Sequence, residues 1–423
     1  VQLVPSAQDV LVLAQLVDLV RTGRATTRPD LEAATGLGRK VVTQRIKDGL
    51  DLGVLAEGDL APSQGGRAPR TVRFRAEAGL ILAACLGASE CDAALTTLDG
   101  QVLGSLHLEV DIADGPASVL ERVDTLFTEL LDRHGRGRDL WGVGVGVPGP
   151  VDFTTGRIVA PPIMPGWDDF DVRAWFRNRY DAPIWVDNDV NLMALAEWHR
   201  GTPREGRDLL YVKVGTGIGS GLVSGGRLHR GDTGAAGDIG HVRVTDDESV
   251  VCRCGRTGCL EAAAGGWALA RDLTRSARAG ASPFLAERLA ERGRLAPEHI
   301  GQAVASGDPV ARAAIVGAAR TVGGAVANIV NFANPGAVVL GGGVLRTGDE
   351  FFRIFADTVR TRAVELATRR LAVRTSSLDF TEGVTGAALL AVERLFRRDA
   401  LPLWIAHGSP AGSAIRLQNA SVA

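Results

Sequence analysis

Between Gly237 and Glu261 the chain reads GDIGHVRVTDDESVVCRCGRTGCLE, and no other stretch limits the fold as tightly. Three of the five cysteines fall here, Cys252, Cys254 and Cys259, with His241 a short strand upstream. Three thiolates and an imidazole at this spacing suit a tetrahedral zinc, and four protein ligands leave no open position for chemistry. The expected metal is therefore structural. The competing reading is three buried cysteines acting as small apolar residues. Gly255 and Gly258 weigh against it, because a Cys-x-Cys-Gly-x-x-Gly-Cys turn lets the backbone fold closely around an ion.

At 423 residues the chain exceeds one ordinary core, so two or three domains are expected. No apolar run reads as a bilayer span, and no charged-then-apolar leader opens the sequence. Together with cysteines better suited to metal than to disulfides, this leads us to expect a cytoplasmic protein with no membrane partner. The formal charge of −2 decides little, but its distribution is uneven. Up to Arg75 there are eleven basic and eight acidic residues, so this end is positive while the whole is negative.

That basic end reads as three helices. Ser6 caps the first, with Asp9 near the positive end of its dipole, and Val10, Leu13, Leu16, Val17 and Val20 mark its apolar face. A second helix covers about 28–34 and turns at Gly36. A third runs from Arg39 to about Leu50, with Val42, Ile46 and Leu50 facing inward. Its opposite face carries Arg39, Lys40, Thr43, Gln44 and Lys47. This is the pattern of a helix-turn-helix whose third helix enters a major groove of double-stranded DNA. Arg39 and Gln44 have donors that suit base edges, while Lys40 and Lys47 suit phosphates. An ordinary three-helix bundle with a solvated charged face is the alternative. Strands at 54–57 and 71–75 would flank a wing or linker at 61–70, whose Arg67 and Arg70 suit a minor groove.

From Gly79 strands and helices alternate. Strands are expected at 80–86, 92–98, 102–110, 140–147 and 184–187, then at 209–214, 338–340 and 371–375. Helices are expected at 117–131, following Asn188-Asp189 through Glu197, and at 266–306, 311–331 and 383–396. For Asp189 a cap on that helix is the alternative to holding a ligand, and the two roles are compatible. The tail after Ala400 is small and polar without periodicity, and is expected to be flexible. Glycine turns at strand ends, Gly215–Gly221 and Gly341–Gly343, together with the polar pair Asn188-Asp189, point to a ligand cleft between two α/β lobes.

These residues carry a resemblance. Gly240-His241 followed by Cys-Arg-Cys-Gly-Arg-Thr-Gly-Cys-Leu-Glu is similar to the ROK family of sugar-responsive repressors and sugar kinases. So are Gly215-Thr-Gly-Ile-Gly219, Val147-Pro-Gly-Pro150, Asn188-Asp189 and Gly341-Gly-Gly-Val344. The resemblance implies an α/β fold: a two-lobed, actin-like or hexokinase-like (ribonuclease-H-like) sugar-binding region. Its lobes would span 76–190 and 191–400, behind a winged helix-turn-helix at 1–75 and before a tail at 401–423. It implies zinc on His241, Cys252, Cys254 and Cys259. It also implies a monosaccharide, or a derivative, held by Asn188, Asp189, Asp238, His241 and Glu261, with Asp238 one methylene shorter than the family's glutamate.

The departures separate two functions. Where the kinases have Asp-x-Gly-x-Thr, this chain has Cys85-Leu-Gly87-Ala-Ser89, and a thiol is a poor ligand for magnesium. Asp189, the general base in the kinases, is retained. The expected protein is a non-enzymatic, sugar-responsive repressor that binds a DNA operator as a homodimer or homotetramer. The alternative is an ATP- and magnesium-dependent sugar kinase with an appended DNA-binding domain.

Overall fold

The computed structural model describes residues 6–62, 68–201, 208–378 and 380–420. The N-terminal unit contains α1 (Ala7–Arg21), α2 (Arg28–Thr35) and α3 (Arg39–Asp51). Ser6 with Asp9, and Thr27 with Asp30, form capping boxes that satisfy the first free N–H groups of α1 and α2. Gly36 ends α2 at φ +69°, the left-handed turn that aims the chain into α3. Two antiparallel strands follow, β1 (Leu55–Leu60) and β2 (Arg70–Phe74). Half of the segment expected as a wing, residues 63–67 with Arg67 among them, lies outside the described residues.

The first lobe comprises β3 (Leu80–Leu86), β4 (Glu90–Thr97), β5 (Val102–Glu109), α4 (Pro116–His134) and β6 (Leu140–Val147). A short hairpin, β7 (Val151–Asp152) with β8 (Arg157–Ile158), precedes α5 (Val172–Arg177), β9 (Ile184–Asn188) and α6 (Asp189–Arg200). The second lobe opens with β10 (Leu209–Val214), β11 (Ile218–Ser224) and β12 (Arg227–His229). Its helices are α7 (Leu260–Ala264), α8 (Gly266–Arg278), α9 (Pro283–Arg292), α10 (Pro297–Ala305) and α11 (Pro309–Ala333). Then come β13 (Ala337–Gly341), α12 (Asp349–Arg362), α13 (Glu365–Thr368) and β14 (Ala372–Thr375).

One plan is used twice. The first sheet has the order β5-β4-β3-β6-β9 and the second β12-β11-β10-β13-β14. In each, three antiparallel strands are followed by two parallel ones. Parallel strands need covered faces, and both sheets have them: every residue of β3 and of β13 is buried. Beyond the Gly215 turn the chain continues into β11 and β12, two strands with no counterpart among the expected ones, because glycine and serine dilute the alternation of apolar residues there.

Three further expectations change. First, α11 is long and apolar enough, by length and composition alone, to cross a bilayer, contrary to the sequence reading. Its buried face, including Ile315, Val322 and Val326, belongs to the second-lobe core. Second, Asp189 does not cap α6. Asn188 does, its Oδ1 accepting from the N–H groups of Val190 and Asn191, while Asp189 is the first helical residue.

Third, the tail is not loose. After α14 (Glu382–Leu395) it forms α15 (Leu401–Trp404) and α16 (Ala414–Ala420), and buries Leu401, Trp404, Ile405 and Leu417. Its helical pieces are too short to show a period, which hid them. These residues share one core with Leu13, Leu16 and Val17 of α1 and with Trp141 of the first lobe. Trp404 packs on Trp141 (ring centroids 5.1 Å apart) and Phe396 (5.3 Å), and Phe396 in turn packs on Phe74 of β2 (5.2 Å). The Trp404 indole N–H donates to the Leu395 carbonyl at 2.9 Å. The C-terminal segment thus ties the N-terminal unit to the lobe that carries α14.

Candidate ligand cleft and metal centre

A cleft of about 1240 Å³ opens where the glycine turns of the two sheets face each other. Asn188, Asp189, Asp238, His241 and Glu261, the five residues expected to hold a sugar, all line it. Asn188 and Asp189 arrive at the junction of β9 and α6, the carboxyl end of a parallel strand. Asn188 is occupied locally: besides capping α6, its Nδ2 donates to the Gly149 carbonyl at 3.2 Å, fixing the Pro148–Pro150 turn. Glu261, on α7, accepts from the Ile218 N–H at 3.1 Å, which pins its carboxylate to the start of β11. Asp238 is exposed, and its Oδ1 lies 4.0 Å from His241 Nε2.

Asp189 is buried, and its Oδ2 meets the Lys213 ammonium of β10 at 2.5 Å. Burial alone would lower the lysine pKa, but the Asp189 carboxylate outweighs it and holds the ammonium above the usual lysine value. Lys213 also lines the cleft, and the sequence reading missed it as a site residue. The signal was available: the chain has three lysines, two of them on α3, and this one stands in a buried strand. Behind the pair, Asp187 is held by Arg230 at 2.7 Å and by the Asn191 amide at 3.0 Å. Asn191 Oδ1 is buried in the cleft wall without a partner among the described residues.

The kinase-motif positions behave differently. Ser89 lines the cleft, whereas the Cys85 thiol is buried at the end of β3, facing Gly146 and Gly383. Burial first, and the Asp189 charge second, push its pKa far above the usual thiol value. A neutral, buried thiol offers nothing to a hard cation.

The donor atoms of His241, Cys252, Cys254 and Cys259 lie within 4.8 Å of one another, a set able to hold a metal ion. Cys252 Sγ is 3.6 Å from His241 Nδ1, and Cys254 Sγ is 3.8 Å from Cys259 Sγ. These separations are far longer than the roughly 2.05 Å of a disulfide. Tetrahedral ligation at about 2.3 Å for sulfur and 2.0 Å for nitrogen would place neighbouring donors about 3.5–3.8 Å apart. Gly255 and Gly258 take φ +83° and +74°, the turns that bring Cys254 and Cys259 together. His241 turns Nδ1 to the thiols and Nε2 towards Asp238, so one ring belongs to both centre and cleft.

On α3, Arg39, Lys40, Thr43, Gln44 and Lys47 are all exposed on the face opposite buried Val42 and Ile46. Gln44 Nε2 donates to Asp48 at 2.9 Å, and Arg45 is tied to Asp9 and Asp48, leaving the N-terminal half of the face open. Arg70 is exposed and pairs with Glu57 across the hairpin.

Residues 82–394 match the ROK family. A glucokinase of Halalkalibacterium halodurans is 30% identical over 310 residues, covering 73% of this chain and 94% of that protein. A putative xylose repressor of a Caldicellulosiruptor species is 27% identical over 391 residues, covering 92% of this chain and 96% of that protein. Among solved structures, a ROK family transcriptional regulator, a homologue of the E. coli MLC protein, superposes with a TM-score of 0.78 at 23% identity. It covers 95% of this chain and 99% of its own. A ROK family glucokinase from Streptomyces griseus, solved with glucose and AMPPNP, gives 0.62 at 27% identity, covering 74% of this chain and 99% of its own.

Proposed function

The chain belongs to the ROK family, and from that premise we propose that it is a sugar-responsive DNA-binding repressor rather than a sugar kinase. The observation that carries this reading is the shared core. An exposed basic helix, α3, stands on α1, and α1 is packed through Trp404 and Leu417 onto the lobe that forms the cleft. The putative xylose repressor matches 92% of the chain and so extends into that N-terminal unit, whereas two glucokinase relatives match 73% of it.

In this reading a monosaccharide or derivative binds among Asn188, Asp189, Asp238, His241 and Glu261. Hydroxyls both donate and accept, so converging carboxylates and an imidazole discriminate their stereochemistry. His241, Cys252, Cys254 and Cys259 would hold a zinc ion, which would supply structure rather than reaction chemistry by tying together the path from Asp238 to Glu261. Arg39, Thr43 and Gln44 read bases, while Lys40, Lys47, Arg67 and Arg70 hold phosphates or a minor groove. The working form is a cytoplasmic homodimer or homotetramer, since paired half-sites need two recognition helices.

The test pairs two assays over one panel of hexoses, hexosamines and pentoses. A sugar that raises the melting temperature should alter DNA affinity, while ATP and magnesium yield no phosphorylated product. Turnover at ordinary kinase rates, on the order of 1–100 per second, would reverse the assignment.

A further inference from the structure

The two sheets follow one plan, so β3 and β10 hold equivalent places, each between an antiparallel and a parallel neighbour. The residue before the last in β3 is Cys85, and in β10 it is Lys213. Cys85 is paired with Asp92 and Gly146 in its sheet, Lys213 with Gly219 and Gly341 in its own. Glycines on both sides of Lys213 leave no side chain to obstruct its path along the cleft floor. Its ammonium reaches Asp189 Oδ2 at 2.5 Å, and a Cβ placed on Gly146 would lie 3.3 Å from Cys85 Sγ and 3.5 Å from Asp189 Cα. Thiol, carboxylate and ammonium therefore gather at one end of the cleft.

Two features make this more than a structural ion pair. Asp189 is the one hydrogen-bond partner of the Lys213 ammonium among the described residues, so two of its three N–H donors remain unpaired in the cleft wall. A fixed positive charge here also opposes entry of a divalent cation, at the end where Cys85 already provides no ligand.

We propose that Lys213 is a ligand-binding residue that stands in for a divalent cation: it fixes the Asp189 carboxylate as an acceptor and donates to the same ligand hydroxyl, so the cleft takes a neutral polyol without magnesium. The hydroxyl gives its proton to Asp189 as a hydrogen bond and receives one from Lys213. Both of its polar functions are then satisfied. This deepens the sensor reading and rests on it.

The experiment titrates the full-length, zinc-loaded chain calorimetrically with the pentoses, hexoses and hexosamines of the panel, with magnesium chloride present or omitted. For any sugar that binds, magnesium should leave Kd unchanged. Lys213→Met should weaken binding by at least about tenfold, as loss of a hydrogen bond from a charged donor does. Lys213→Arg should bind more tightly than Lys213→Met, because its guanidinium keeps both the charge and the donors. A Lys213→Met variant within twofold of the parent, or a parent that tightens on adding magnesium, overturns the role of Lys213 while leaving the sensor reading intact. If no sugar in the panel binds the parent, the sensor reading falls and this proposal with it. A measurement without substitutions guards against a variant that fails to fold. With only three lysines in the chain, side-chain 15N labelling isolates the Lys213 ammonium, whose NMR signal should shift on sugar addition; a signal that stays in place at saturation refutes the contact.

Discussion

The two lobes share a strand order and differ in chemistry at equivalent points. At the tip of the first sheet β3 ends in a buried thiol, and the turn to β4 carries Gly87, Ala88 and Ser89. At the tip of the second, β10 ends in a charged lysine, and the turn to β11 is held by Glu261, whose carboxylate accepts from Ile218. The first lobe presents a buried thiol at this position, whereas the second presents an ammonium beside a polar set that adjoins the cysteine cluster. A repeated fold fixes where a side chain stands, while its charge and its partner decide what the position does. The comparison favours a cleft that recognises a ligand over one that transforms it.

Stripping the metal should have the largest effect and fall on the second lobe. Chelation, or Cys259→Ser, should lower the melting temperature by more than about 10 °C and abolish sugar-induced stabilisation. Metal analysis of the parent should give one zinc per chain. The first lobe and N-terminal unit are most exposed to Trp404→Ala, which empties the contact between Trp141 and Phe396 at a cost of about 3–5 kcal/mol. Denaturant melts should show that loss, and limited proteolysis should cut the N-terminal unit first. The equivalent positions themselves can be compared directly. Asp189→Asn strands the Lys213 ammonium and should cost about 3 kcal/mol, whereas Cys85→Ala should cost about 1 kcal/mol. Equal losses would break the contrast between the two strand ends.

Arg39→Ala with Gln44→Ala should cost about 1–3 kcal/mol of base discrimination without touching sugar affinity, read by footprinting on enriched genomic fragments. The smallest effect belongs to the first-lobe hairpin, where Asp92 accepts from His107 at 2.8 Å and raises the histidine pKa. A raised folded-state pKa stabilises fully below the ordinary histidine value and fades as pH rises through the folded one. His107→Gln should therefore cost about 0.5 kcal/mol near pH 5.5, already reduced for solvent screening, and nothing near pH 8.

Much of this was legible in the residues. Cys252, Cys254, Cys259 and His241 lie close in sequence, so spacing alone brought them together, and the apolar runs of β3, β6 and β13 fixed the strands. Contacts between distant segments were hidden. Lys213 meets Asp189 across 24 residues, from a strand of one sheet to a helix that follows the other, and only the folded chain joins them. Trp404 and Leu417 sit in helices of four and seven residues, too short for a period, so their burial against α1 had no local signature. The cap of α6 also moved by one residue, because Asn188 and Asp189 are both good caps and only backbone geometry chooses between them.

The most direct test is the affinity of the chain for its enriched genomic DNA, measured by fluorescence anisotropy with and without a stabilising sugar, in buffer free of ATP and magnesium. The expected result is a shift in Kd of about fivefold or more, the range of a coupling free energy between two sites, with DNA shifting sugar affinity by the same factor. Equal DNA affinity at saturating sugar, or a shift that appears only with ATP and magnesium, would contradict it.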